Sequence, residues 1–468
     1  MPKPCYRCFA FFLCLLPLYV QASDASLEKL LADIEAAREK SGVAAVGLTL
    51  VDKDKILWTG AFGVKDWDTK EPVDADTLFR IGSITKSFTG LTLLMLQEAS
   101  KLSLNDPIHQ WVPAKFYNNP WAKTHPIRIA HLMEHTAGLH DLSKAEWDFN
   151  DPVSLEAGLA FKPESRKVHW PPGIHSSYTN AGAGLAGYVL EQITENTYEK
   201  FVEDRIFAPL GMKTASVLLD EATAKKLATG YDTDGKTKTP YWHTIFRPFG
   251  AINASPREMS YYLQFLINQG KLNGKQLLKP ASIKRLETPK TTLAARSGLE
   301  YGYGLGVYHF YHDGIQFYGH GGDGDGYLSR LGYTRANNTG YYLVITAFNH
   351  KPLNVIRDLV EDYLTRDLSR PSSLTMPENT ELLKALTGEY EPATVRFPGW
   401  SKPGKMKITL ENGVLYTQKG AGEKSKLIPA NAQHFRRPWQ PEPTAAIIRD
   451  AEGRYVLQGD MGNYYKQP

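Results

Sequence analysis

The chain has 468 residues, 42% of them hydrophobic and 22% charged, with a formal net charge of +4 and a mean hydropathy of -0.36. This length predicts two globular domains with ample material for a core, and the hydropathy disfavours a protein of several membrane spans. The net charge is too small to argue for a nucleic-acid partner.

The first 22 residues predict a secretory leader. Lys3 and Arg7 precede a short apolar run that ends near Gln21 and Ala22, a small-residue cleavage site. Cleavage there would remove all three cysteines and lower the charge from +4 to +2, leaving no disulfide or cysteine metal site. We therefore expect a bacterial periplasmic or secreted protein. A membrane anchor is the alternative.

After the leader, strand-like runs at residues 43–51 and 56–62 flank a turn-forming segment and predict a hairpin. Helical spacing dominates the middle of the chain. Strands return toward residue 348, so the economical fold is a sheet assembled from both ends of a domain with helices between. The predicted helices are 91–97, 127–135, 181–193, 198–206, 259–268 and 354–365, and the returning strands are 316–318, 328–333 and 341–348.

Ser83 and Lys86 form a Ser-x-x-Lys pair on the predicted first turn of a helix. Residues three apart on a helix face the same way, and an unprotonated lysine amine can activate a serine hydroxyl as a nucleophile. The spelling alone is weak, because Ser26 and Lys29 share it in an ordinary amphipathic helix. Further elements in chain order strengthen the prediction of an acyl-serine enzyme.

Tyr178 and Asn180 supply the second element. A nearby ammonium would favour the Tyr178 phenolate, so Tyr178 and Lys86 would titrate as a coupled pair in which either could be the base. The Asn180 amide can hydrogen-bond both the lysine and a substrate amide. A buried structural tyrosine in a loop is the alternative for Tyr178.

His320 and Gly322 form the third element, just before a predicted strand. Glycine there lets a substrate lie close to the backbone edge, and such an edge can offer an amide to a tetrahedral oxyanion. Histidine carries a conditional charge near pH 7. The alternative is a flexible glycine-rich turn.

Two other motifs compete with the serine interpretation. His131 and His135 lie in a His-x-x-Glu-His segment that spells an inverted zinc-protease signature, so a zinc hydrolase is a rival, although the sequence locates no third ligand. The glycines of 182–187 spell a dinucleotide fingerprint, but no strand precedes them, and close packing of a helix is favoured.

The composition changes after residue 367. Residues 369–373 are rich in serine and proline and predict a linker. Beyond it, alternating apolar residues surround an Asn412-Gly413 turn, which predicts an antiparallel β domain. No catalytic constellation is visible there, which favours a structural or pocket-covering role.

Together these motifs resemble the serine β-lactamase and penicillin-binding-protein superfamily, in its class C, D-aminopeptidase and esterase-like branch. Phrases elsewhere support the resemblance, which covers roughly residues 27–367. They are residues 79–83, 135–139, 170–173, 209–212 and 303–306, reading Phe-Arg-Ile-Gly-Ser, His-Thr-Ala-Gly-Leu, Trp-Pro-Pro-Gly, Pro-Leu-Gly-Met and Tyr-Gly-Leu-Gly.

The resemblance implies an α+β fold, an antiparallel sheet flanked by helices with a helical region, followed by a small lipocalin-like antiparallel β domain. It implies acylation of Ser83, with Lys86 and Tyr178 sharing the base and acid roles, and the amides of Ser83 and Asp323 as oxyanion donors. It implies a small-molecule or peptide substrate, no cofactor, no metal and no nucleic acid. The oligomeric state is left open.

The chain departs from β-lactamases in having neither Lys-Thr-Gly nor Ser-Asp-Asn. His320 stands where classical members present a lysine, so we expect hydrolysis of D-amino-acid-containing or peptidoglycan-derived peptides, with a carboxylesterase or weak β-lactamase as alternatives. A non-catalytic penicillin-binding-like protein is a further one. The predicted organisation is a leader at 1–22, a hydrolase domain at 23–367, a linker at 368–377 and a β domain at 378–468.

Overall fold

A computed structural model describes residues 25–147, 149, 151–371, 380–400 and 403–468. The predicted leader, with its three cysteines, lies outside the described residues, as do residues 372–377 of the predicted linker. In the part of the chain that is described, every helix is too short or too polar to cross a bilayer.

The main sheet has six antiparallel strands, drawn from both ends of the first domain as predicted. The first two form the expected hairpin, whose turn is held because the Asp52 carboxylate accepts hydrogen bonds from the amides of Asp54 and Lys55, at 2.8 and 2.7 Å. The strands are β1 (Ala45–Asp52), β2 (Ile56–Gly63), β3 (Tyr308–His312), β4 (Ile315–Gly324), β5 (Tyr327–Thr334) and β6 (Thr339–Ile345). Their order across the sheet is β2-β1-β6-β5-β4-β3.

Helices cover both faces of this sheet. The helices that pack on the sheet or lie near the site are α1 (Ala25–Ser41), α2 (Thr85–Glu98), α3 (Ile129–Met133), α4 (Asn180–Thr194), α5 (Pro256–Ile267) and α6 (His350–Thr365). Other helical segments are Gly82–Ile84, Ile108–Gln110, Ala114–Phe116, Lys144–Trp147, Leu155–Phe161, Pro163–Arg166, Tyr198–Val202, Glu203–Phe207, Ala208–Leu210, Glu221–Lys226, Arg247–Phe249, Pro280–Glu287 and Leu293–Arg296. Two-stranded pairs join Phe79–Arg80 to Asn253–Ala254 and Lys271–Leu272 to Lys275–Gln276.

Alternation along β6 divides the core into two layers. Leu343 and Ile345 pack in the cluster with α1 and α6, whereas Tyr342 and Val344 pack in the cluster with α2 and α5. Neighbouring side chains of a strand point to opposite faces, and each buried aliphatic side chain contributes about 1.5–3 kcal/mol. The site described below lies where the sheet meets the second of these layers.

The glycines of α4 pack this helix closely, as the sequence indicated. A Cβ added at Gly182 would lie 2.4 Å from the Leu132 carbonyl oxygen, and one added at Gly187 would lie 2.4 Å from Pro248 Cγ. Both distances are shorter than real Cβ contacts. The glycines therefore serve helix packing rather than a dinucleotide.

The C-terminal domain is a closed eight-stranded antiparallel barrel, preceded by a helix, α7 (Thr380–Leu386), that sequence analysis did not predict. Its interior is filled by apolar side chains, including Tyr390, Phe435 and Leu457. The predicted hairpin around Asn412 and Gly413 is confirmed, and both residues have positive φ as a tight hairpin turn requires. The strands are β7 (Gly388–Pro392), β8 (Met406–Glu411), β9 (Val414–Lys419), β10 (Ser425–Pro429), β11 (His434–Arg436), β12 (Ala445–Arg449), β13 (Tyr455–Gly459) and β14 (Gly462–Lys466).

The barrel docks on the segment that leads into α4. Asn463 Nδ2 donates to the Ser176 carbonyl oxygen at 2.8 Å, and Gln458 Nε2 donates to the Ile174 carbonyl oxygen at 2.9 Å. An apolar cluster joins Leu299 of the first domain to Ile448 of the barrel. The barrel thus contacts the backbone just before Tyr178.

Candidate active site

Ser83 lies in the 3-10 turn Gly82–Ile84, which runs directly into α2. Lys86, in the first turn of α2, is completely buried, and its Nζ lies 3.1 Å from Ser83 Oγ. The structure therefore brings the predicted pair within hydrogen-bond distance. The pair Ser26 and Lys29, which has the same Ser-x-x-Lys spacing, differs because Lys29 is exposed and binds Asp33.

The surroundings of Lys86 fit an uncharged amine. Its Nζ donates to Asn180 Oδ1 at 2.6 Å and to the Phe249 carbonyl oxygen at 2.9 Å. A neutral amine has two hydrogens and one lone pair, so these two acceptors use both hydrogens and leave the lone pair for the Ser83 hydroxyl. Burial lowers the pKa of Lys86 well below its ordinary value; nearby Asp141 opposes this shift and Arg396 adds to it.

Tyr178 lies at the end of the loop before α4, and its half-buried side chain makes a hydrogen bond with Ser83. Burial raises the pKa of its phenol, although the hydrogen bond with Ser83 and the charge of Arg396 act in the other direction. Burial thus opposes the phenolate that a nearby ammonium would favour. The shared base role of Lys86 and Tyr178 stays a prediction.

Asn180 is the first residue of α4, and its side chain connects Lys86 to a buried carboxylate. Asn180 Nδ2 donates to Asp141 Oδ2 at 3.2 Å, and the Asn180 amide donates to Asp141 Oδ1 at 2.7 Å. Arg396 of the barrel domain donates to Asp141 Oδ2 through Nε at 2.9 Å and through Nη2 at 2.8 Å. Sequence reasoning missed both Asp141 and Arg396.

His320 lies within β4 rather than just before a strand, so the predicted position and the alternative of a flexible glycine-rich turn are both wrong. Its Nδ1 donates to the Gly321 carbonyl oxygen, which can only accept, and its Nε2 lies within hydrogen-bond distance of the Tyr303 hydroxyl. Burial, reinforced by Lys86, lowers the pKa of His320 to about 3. The imidazole is therefore neutral at pH 7, whereas the sequence left its charge open.

Gly322 and Asp323 continue β4 past the turn that carries Ser83. A Cβ added at Gly322 would lie 1.9 Å from the Ile81 carbonyl oxygen, and one at Gly82 would lie 3.1 Å from the Asp323 amide nitrogen. The strand edge and the serine turn are therefore in direct contact. The Asp323 carboxylate points elsewhere, to Arg330 Nη1 at 2.9 Å.

A cavity of about 350 Å³ opens onto Ser83. Aromatic side chains form its walls, and three arginines contribute its positive charge. Trp242 and Phe249, which also belong to the core, line the cavity. The lining includes Arg80, Trp147, Tyr178, Trp242, Phe249, Tyr308, His320, Arg330, Arg396 and Phe397.

The rival zinc motif has a positioning role in this structure. His131 Nδ1 accepts from the Arg128 amide, and His135 Nδ1 accepts from the Thr179 amide beside Tyr178. Glu134 binds Arg285 and two loop amides. Neither histidine belongs to a group of potential ligands close enough to share an ion among the described residues.

Comparisons with known proteins identify the family and the fold of this chain. The family model described as Beta-lactamase matches residues 30–364. Protein flp of Staphylococcus aureus (strain MW2) is 25% identical over 238 residues, 50% of this chain and 48% of that protein. The chain thus spans about half the length of the curated relatives it matches first.

Two solved structures share the fold. The octameric penicillin-binding protein homologue from Pyrococcus abyssi has a TM-score of 0.63 at 22% identity, covering 94% of this chain and 100% of that one. The D-amino acid amidase from Ochrobactrum anthropi SV3 has a TM-score of 0.60 at 23% identity, covering 73% and 100%. The first match therefore extends over the barrel as well as the main domain.

Proposed function

Because the chain belongs to the beta-lactamase family, we propose that it is a serine hydrolase that cleaves amide or ester bonds through an acyl-enzyme on Ser83. The observation that carries the proposal is the contact between Lys86 Nζ and Ser83 Oγ at 3.1 Å, beside two further oxygens, of Asn180 and Phe249, that can take both hydrogens of a neutral amine. A positioned lone pair next to a hydroxyl is the arrangement that activates a serine.

In the proposed reaction, Ser83 Oγ attacks the substrate carbonyl carbon while its proton passes to Lys86. The amides of Ser83 and Asp323 bind the oxyanion, each such donor typically worth about 3–4 kcal/mol. Collapse breaks the bond to the leaving amine or alcohol, which takes a proton from the Lys86 and Tyr178 pair. Water then attacks the ester and gives a proton to the same pair. The second collapse breaks the bond to Ser83 Oγ, which takes that proton back as the acid is released.

We propose peptides or amides with a D-residue, such as those derived from peptidoglycan, as the substrate class. The resemblance to a D-amino acid amidase supports an amide, and the aromatic cavity is of a size for one or two amino-acid residues. A neutral His320 does not supply the cation with which classical β-lactamases hold a carboxylate. Slow hydrolysis of β-lactams is therefore expected.

The leader-like sequence at residues 1–22 supports export to the periplasm or medium as part of this proposal. Peptidoglycan fragments are found in that compartment, so location and substrate class agree. Edman sequencing of the mature protein from an export-competent host tests the proposal. A first residue of Ser23 supports it, and an intact Met1 contradicts it.

The function is tested by intact mass after exposure to a fluorophosphonate. We expect one adduct on the wild type and none on Ser83→Ala, with turnover of any substrate reduced by about 10⁶-fold, as for other serine nucleophiles. Ser26→Ala is the matched control, because Ser26 has the same Ser-x-x-Lys spelling in α1. An adduct that persists in Ser83→Ala would overturn the proposal.

A comparison of D- and L-amino-acid amides, p-nitrophenyl esters and a chromogenic β-lactam then defines the substrate. The proposal expects D-amides to have the highest kcat/KM. A preference for esters with no amide hydrolysis would replace the peptidase assignment by that of a carboxylesterase.

A further inference from the structure

We propose that Arg396, which the barrel domain contributes, is a positioning residue for the Ser83 reaction because it pairs with buried Asp141 and thereby keeps Asn180 and Lys86 in their working arrangement. The proposal rests on the proposed acyl-enzyme function. It makes the C-terminal domain a part of the active site rather than an appendage.

The hydrogen bonds form a continuous path across the two domains. From Ser83 the path runs through Lys86 Nζ at 3.1 Å, Asn180 Oδ1 at 2.6 Å, and Asn180 Nδ2 to Asp141 Oδ2 at 3.2 Å. It ends at Arg396, whose Nε and Nη2 bind the same Asp141 oxygen at 2.9 and 2.8 Å. Each group in the path touches the next.

Arg396 is fixed in place by its own loop. The Asp141 amide donates to the Arg396 carbonyl oxygen at 2.9 Å, so backbone and side chain of the two residues are joined in both directions. The guanidinium also lies 4.5 Å from the centre of the Tyr178 ring, a favourable cation–π distance. The Thr394 hydroxyl donates to the Ser176 carbonyl oxygen at 3.3 Å. The loop after β7 is thus attached to the segment that carries Tyr178.

The charge of Arg396 matters because the Asp141 side chain is fully buried. A buried carboxylate without a cation is costly and attracts a proton or a new partner. The cationic form of Lys86 would be such a partner, and Asp141 indeed raises the pKa of Lys86 while Arg396 lowers it. Loss of Arg396 would therefore favour the protonated, inactive amine.

The other titratable groups near Lys86 are neutral at pH 7. Burial lowers the pKa of His135 and of His320 and raises that of Tyr178. Asp141 and Arg396 therefore form the ionised pair within the described surroundings of the amine. Asp141 raises the pKa of Lys86 and Arg396 lowers it. Substitutions of the two residues should therefore shift the pH dependence of the reaction in opposite directions.

The test is the rate of fluorophosphonate labelling at Ser83 as a function of pH. The rate should rise as Lys86 loses its proton. We expect Arg396→Gln to move this rising limb to higher pH, about one unit or a tenfold slower rate at a fixed pH on the limb. Asp141→Asn should move it to lower pH, and the double variant should return toward the wild-type position. Arg396→Lys, which keeps the charge, should be intermediate.

Asn463→Ala is the matched control, because it removes another contact between the domains without touching the path. The rising part of the labelling rate against pH for Asn463→Ala should coincide with that of the wild type. Thermal unfolding of each variant shows whether it is folded, and Arg396→Lys replaces Arg396→Gln if the latter is not. A wild-type limb in both Arg396 variants, or shifts of the same sign in Arg396→Gln and Asp141→Asn, would overturn the inference. Labelling that persists in Ser83→Ala would instead overturn the proposed function.

Discussion

Individual protonation states decide what this site can do. Lys86 has three oxygen neighbours, two of which can accept its hydrogens while the third, on Ser83, can give one. His320 has one carbonyl and one tyrosine hydroxyl as partners, which a neutral imidazole satisfies by donating from Nδ1 and accepting at Nε2. Burial lowers the pKa of Lys86 and of His320 and so favours the uncharged form of each.

We predict that His320 does not titrate near neutral pH. Because burial lowers its pKa to about 3, its ring resonances should keep their neutral positions from pH 8 down to pH 5. The measurement is the NMR titration of the histidine ring protons, with the signal assigned by its disappearance in His320→Gln. A His320 signal with a midpoint near 6.5 would contradict the prediction.

At the residue scale, short sequence motifs identified the candidate site residues that lie close together along the chain. Ser83 with Lys86, and Tyr178 with Asn180, are pairs separated by two or three positions, so short patterns reveal them. Asp141 and Arg396 are 255 positions apart and belong to no such pattern. Only the docking of the barrel brings them together, and one sequence has no signal for that contact.

At the scale of elements, the strand β4 contacts the serine turn without any side chain between them. Gly322 makes this possible, because its missing Cβ would fall 1.9 Å from the Ile81 carbonyl oxygen and 2.3 Å from Ser329 Oγ. The sequence analysis placed this segment just before a strand, because glycines obscure the alternation typical of a strand. Where β-forming residues were dense and flanked a turn, as in β1 and β2, the predicted hairpin was correct.

We predict that Gly322→Ala displaces β4 from the turn that carries Ser83. The added methyl group meets backbone rather than a flexible side chain, so we expect a lower melting temperature and a labelling rate at least tenfold below that of the wild type. Gly324→Ala is a matched control on the same strand, since its Cβ would approach Arg80 Cδ no closer than 3.7 Å. Equal melting temperatures for the two variants would contradict the steric argument.

At the scale of the whole molecule, several histidines are buried as neutral groups. The pKa values of His131 and His320 are lowered to about 3 and those of His175 and His309 to about 4, in each case mainly by burial. An unfolded chain protonates these rings near pH 6.5. Between pH 6.5 and 4 the unfolded state therefore binds more protons than the native state.

The expected result is a loss of stability on acidification. Each of these histidines should lower the free energy of unfolding by about 1.4 kcal/mol per pH unit between pH 6.5 and 4. Urea unfolding at pH 6.5, 5.5 and 4.5 measures the slope. His309→Gln should make it less steep by about that amount, and exposed His109→Gln serves as the control. A stability that stays constant or rises toward pH 4.5 would contradict the prediction.

The position of Arg396 in the barrel also has a consequence for how the two domains evolve. A change in the codon for Arg396 alters the surroundings of Lys86, whose codon lies some 300 positions upstream. Selection must therefore act on the two segments together. Recombination that exchanges one segment for that of a distant relative would separate Asp141 from its matched cation. We expect natural lineages that lose the barrel segment to have changed the acidic residue at position 141 as well.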